Sequence, residues 1–75
     1  MILKIIGPEI SIGAANTVAN SILVRVINTG ADAVLNVGSV GNVTVTNTAA
    51  VIVEKEATET LTGANMKAVP IAFRY

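Results

Sequence analysis

Turn signals punctuate this chain so often that it has little room for anything but strands. Gly7-Pro8, Asn28-Thr29-Gly30, Gly38-Ser39-Val40-Gly41-Asn42, Asn47-Thr48 and Gly63-Ala64-Asn65 are each sequences that reverse or break a backbone. The pieces between them are short and rich in Val, Ile and Thr, whose branched side chains suit a pleated surface. Strands are expected near 2–6, 21–28, 33–37, 42–47, 49–54 and 67–74. Residues 9–20 read as an irregular arm or a short strand around Ile10 to Ile12. The segment 54–63 holds three of the five acids. It permits one helical turn closed by Gly63, but its threonines oppose a long helix, and a polar connection is the better reading.

Alternation predicts the faces. Ile22, Val24 and Val26 share one side of their strand, and Leu23, Arg25 and Ile27 the other, which Arg25 marks as partly wet. Val43 and Val45 oppose Thr44 and Thr46. In the last strand Val69, Ile71, Phe73 and Tyr75 alternate with Ala68, Pro70, Ala72 and Arg74, which predicts that Phe73 packs inward with Val69 and Ile71. Pro70 cannot donate to a ladder, so its strand is expected at a sheet edge or with a bulge. The fold class is therefore all-β: one domain over 1–75, a small antiparallel β-sandwich or open barrel of about six or seven strands. Residues 1–21 are expected to form an N-terminal strand or an arm at a subunit interface.

Size makes association attractive. A chain of 75 residues and 7.7 kDa sits near the lower limit for a domain without a disulfide or metal. It has no Cys, and only 13% of its residues are charged, about half the usual share. A homo-oligomer, dimer or trimer, is the expected remedy. Its interface candidates are Ile2, Leu3, Ile5, Ile6 and Tyr75, because an N-terminal strand apolar on both faces suits burial against a partner.

The same composition removes most chemistry. The chain has no His, no Cys and no Trp. Ser11, Ser21 and Ser39 have no histidine base, no Gly-x-Ser-x-Gly setting and no Ser-x-x-Lys spacing. Glu54, Glu56 and Glu59, with Asp32, lack the order of a calcium loop and read as a solvated loop. Gly38-Ser39-Val40-Gly41 superficially resembles a phosphate or nucleic-acid clamp, yet a strand follows it instead of a helix. Phe73 and Tyr75 are too few for a stacking surface. Arg25 and Arg74 suit either cross-subunit ion pairs or solvated strand ends. A net charge of zero gives no long-range pull toward phosphate or anionic lipid. The longest apolar run, Ile22 to Ile27, is broken by Arg25 and is far short of a spanning helix. The start, Met1 to Pro8, lacks the order of a signal peptide, so cytoplasmic synthesis is expected. No catalytic residue, cofactor, metal, nucleic acid or membrane contact is expected.

Three stretches carry a resemblance: Ile22-Leu23-Val24-Arg25-Val26-Ile27-Asn28-Thr29-Gly30, then Val51 to Thr62 after an alternating hairpin, and finally Ala68-Val69-Pro70-Ile71-Ala72-Phe73. Over about residues 22–75 the chain resembles small virion structural proteins of tailed bacteriophages, particularly marine phages. That family often has Pro and Asp where this chain has Ala57 and Glu59. The resemblance implies a compact β subunit attached to a capsid as a decoration or cement protein. Its partners would be itself and a viral capsid protein, and its location the virion, after synthesis in the host cytoplasm. The alternative is a small adhesion or ligand-binding module of a phage tail or spike.

Overall fold

A computed structural model describes residues 2–38 and 40–74. The protein is an antiparallel β-sandwich of eight strands: β1 (Ile2–Ile5), β2 (Ile10–Ser11), β3 (Leu23–Asn28), β4 (Ala33–Val37), β5 (Gly41–Val45), β6 (Ala50–Glu54), β7 (Leu61–Thr62) and β8 (Met66–Arg74). The larger sheet runs β1-β8-β3-β6, with β2 also paired to β8, and the smaller runs β5-β4-β7. Six of the eight strands match expected segments; the two-residue β7 emerges inside the polar connection. The folded surface is 4388 Å², close to the roughly 4,300 Å² that area scaling gives for this mass.

The two sheets close on Val24, Val26, Met66 and Ala68 from one side and Leu35, Val45 and Leu61 from the other. Ile12 and Val18 complete this core and are 0% and 1% exposed. Residues 9–20 are mostly exposed but are tied to the domain by these two core side chains and by the short strand β2, which matches the strand expected around Ile10 to Ile12. To seat Val18, the backbone makes a left-handed turn through Val18, Ala19 and Asn20, with φ of 53°, 59° and 55°. That conformation costs each non-glycine residue about 1–2 kcal/mol. It is closed by the N–H and Oγ of Ser21, which both donate to the carbonyl of Val18 at 3.2 and 2.7 Å.

β8 corrects two expectations. It is the central strand of its sheet, flanked by β1 and β2 on one side and β3 on the other, so Pro70 does not lie at an edge. The interruption lies in the neighbour instead. Ile5 pairs with Ile71 and Ile10 with Ala68, so Ile6-Gly7-Pro8-Glu9 bulges opposite Val69-Pro70. Pro70 accepts from the N–H of Ile6 at 3.1 Å, which turns its nitrogen toward this break. Toward β3 it stands opposite Val24. A β-carbon on Gly7 would lie 2.7 Å from Pro70 Cγ, so the bulge needs glycine there.

The second correction is the core face of β8. Met66 and Ala68, on the smaller-residue face, point into the sandwich. Val69 and Ile71 lie on the outer face, still covered by their neighbours, and Phe73 is 37% exposed.

Polar order concentrates at one turn. Asn28, fully buried at the end of β3, donates from Nδ2 to the carbonyls of Ala31 (2.9 Å) and Val45 (2.7 Å). Its Oδ1 accepts from Gly30 N–H at 2.8 Å. One side chain thus ties the larger sheet to β5 of the smaller.

Candidate docking surface

The smaller sheet covers only part of the larger one. Beyond it, β1 and the last residues of β8 continue as a two-stranded ribbon in the register Ile2–Arg74, Leu3–Phe73, Lys4–Ala72, Ile5–Ile71. β3 starts at Leu23 and meets β8 only up to Pro70, so the ribbon extends past the body of the sheet. Every residue of β1 is exposed. Ile2, Leu3, Ile5 and Ile6 are 53%, 38%, 64% and 52% accessible. Alternation sets Leu3, Ile5 and Phe73 on the outer face and Ile2 and Lys4 on the inner.

Four of the five expected interface residues therefore fall together, side by side and open to solvent. Tyr75 lies outside the described residues. Apolar depressions flank the ribbon: one lined by Leu3, Ile5, Gly7, Glu9, Arg25 and Val69, the other reaching Ile6, Ala19, Ile22, Pro70 and Ala72. The outer face continues across the sheet to Ile52 of β6, which stands opposite Arg25 and is half exposed. The sequence reading missed Ile52 and Ile22 as members of this surface. Ile52 shares its strand face with Glu54, and Ile22, expected inside the strand 21–28 beside Val24 and Val26, lies just before β3 and is 59% exposed.

The polar groups weighed from sequence do not converge. Asp32 accepts from the N–H of Asn47 at 2.8 Å, and Glu59 from the N–H of Glu56 at 2.8 Å, so each carboxylate closes its own loop. Among the described residues no three acidic, His or Cys side chains gather around a common point, and no helix is long and apolar enough to cross a membrane. Beside Glu56 and Glu59, Lys55 is nearly buried. Its Nζ donates to the carbonyls of Glu56 (3.1 Å) and Ala57 (3.4 Å). Desolvation pushes the amine below its ordinary pKa, and the Glu59 carboxylate partly opposes that.

The arrangement offers broad apolar contact beside a free backbone edge at one end of an all-β sandwich. No protein-family model matches the chain, and neither the curated proteins nor the solved structures contain a detectable match to it.

Proposed function

We propose that this protein is a non-enzymatic structural subunit that docks on an assembled protein shell, as a capsid decoration or cement subunit of a tailed phage. The observation that carries the docking reading is the exposed ribbon: Ile2, Leu3 and Ile5, with Ile6 just beyond them, stand in solvent on a strand that has no outer neighbour among the described residues. An unpaired apolar edge is a liability that proteins usually blunt, and β1 has only Lys4 to do so. Such an edge is retained where it meets something. The phage assignment rests on the resemblance over about residues 22–75, and it supplies the shell, the virion location and the capsid protein as partner.

The mechanism is multivalent apolar contact. Each docking is weak, and several copies bound to neighbouring capsomers gain avidity and link them. Binding of this kind persists in moderate salt, unlike binding driven by counterion release from phosphate.

The test mixes purified protein with particles lacking it and measures occupancy and resistance to heat. Saturable binding that survives a rise in salt, with a more heat-resistant particle, is the expected outcome. Absence of binding to assembled shells, or DNA binding that falls steeply with salt, would overturn the reading.

A further inference from the structure

Among the described residues the larger sheet is edged by β6 at one end and, at the other, by β1 followed along β8 by the two-residue β2; β1 and β6 are the two longer strands without an outer neighbour. The direction of each backbone group follows from the ladders. Ile6 donates to Pro70, so Ile2 and Lys4, of the same parity, face β8, and Leu3 and Ile5 turn their N–H and C=O outward. At the other end Lys55 donates to the carbonyl of Ile22 at 2.9 Å. Val51 and Val53 therefore face β3, and Ala50, Ile52 and Glu54 turn outward.

We infer that a second copy of this chain adds to the sheet head to tail, with β1 of one copy antiparallel to β6 of the next. Three features favour this pairing. Each strand of the larger sheet is antiparallel to its neighbour, so β1 runs opposite to β6, and a copy in the same orientation extends the alternation. The outward residues of both edges carry their side chains on the outer face, so Ile5 meets Ile52 and the apolar surface continues across the junction.

Charge is the third. The ribbon carries Lys4 and Arg74 and no acid, whereas the end of β6 carries three acids, Glu54, Glu56 and Glu59, against one base, Lys55, whose Nζ is turned to the carbonyls of Glu56 and Ala57. With Ile5 opposite Ile52, Leu3 stands opposite Glu54, and the basic end of the ribbon falls at the acidic end of β6. Pairing β1 with β1 about a two-fold axis at Lys4, the register that matches Leu3 with Ile5, brings Lys4 against Lys4 and is disfavoured; pairing β6 with β6 about Ile52 sets Glu54 opposite Ala50 and brings no basic ribbon to the acids. A head-to-tail contact repeats into a closed ring or a longer row, and either lines up the outer faces into one docking surface.

This deepens the docking function proposed above by naming the first partner of the free edge. It is read with no shell present, so its failure and that of shell binding are separate results.

The experiment uses sedimentation velocity on the full chain at micromolar concentration. Ile5→Pro and Ile52→Pro each delete one outward N–H and spare the bonds to β8 and β3. Wild type is expected to associate and each variant alone to be monomeric. Their equimolar mixture should form a dimer, through the intact β1 of one and the intact β6 of the other. Should either proline variant lose its circular dichroism signature, Ile5→Lys and Ile52→Glu, both at exposed positions, serve the same design. Each alone should weaken association at least tenfold, and mixing should restore it. A monomeric wild type, an Ile52 variant that still associates alone, or folded variants that fail to recombine would each overturn the inference.

Discussion

The sandwiched half of the molecule and its protruding ribbon use the same residues to opposite ends. In the sandwich, Val24, Val26, Leu35 and Leu61 are fully buried between two sheets, and the one buried amide, Asn28, has both ends bonded. In the ribbon, four isoleucines and leucines face solvent on a strand paired on one side only. Both are rich in branched apolar residues. What differs is whether a second layer lies over them. Apolar composition therefore does not by itself locate a core, and the uncovered half is where another molecule is to be sought.

The largest effect should come from the sandwich. Asn28→Ala removes three hydrogen bonds and leaves the Val45 and Ala31 carbonyls and the Gly30 N–H without their partner. Among these the bond to the Val45 carbonyl is fully buried and its orphaning costs about 1–3 kcal/mol, while the partners at Ala31 and Gly30 are part-buried and cost less, so a loss of roughly 2–4 kcal/mol is expected in urea unfolding. A loss under about 1 kcal/mol would mean that water reaches the site and that the two sheets are not locked there.

Phe73→Ala probes the ribbon. A fully buried phenylalanine would cost about 3–5 kcal/mol, which is the outcome expected had Phe73 packed inward. At 37% exposed on the outer face, its truncation should cost roughly 1–2 kcal/mol when measured at the lowest protein concentration that gives a signal. A cost equal to that of Asn28→Ala would erase the distinction between the two halves.

These two residues also mark how far the sequence can be read. Strand positions were legible because short apolar runs between turn residues leave few alternatives. The buried side of β8 was not, because Val69 and Ile71 on one face and Met66 and Ala68 on the other are all apolar. Only the position of the smaller sheet decides between them. Asn28 was legible as a turn residue, but its bond to Val45, seventeen positions away, is a long-range fact. Ile12 was legible only as the end of a short strand around Ile10, and Val18 sits among Ala, Asn and Thr with no strand period, buried through a left-handed turn that no local propensity favours. Leu61 is a lone apolar residue among threonines. For the docking surface, Ile2, Leu3, Ile5 and Ile6 could be named because a strand apolar on both faces asks for cover on both. The matching edge on β6 needed the sheet order.

The smallest effect concerns Lys55, which belongs to neither half: it is buried, yet at the acidic loop beside the β6 edge. Its amine is held below the ordinary value of 10.5, first by desolvation, with Glu59 opposing. The unfolded chain then holds more protons than the folded one between that lowered pKa and 10.5. Stability should rise with pH across this window, as the cost of burying a charged amine is relieved. Lys55→Met should abolish that rise. At neutral pH the same variant should change stability by less than about 1 kcal/mol, because two amine hydrogen bonds are lost while a desolvated charge is removed. The measurement is the difference between wild type and variant in urea unfolding, followed from neutral pH to about 10.5. Parallel profiles would mean that Lys55 is hydrated in solution and that the acidic loop opens away from β6. The junction with a second copy would then have to order that loop before its charges could contribute.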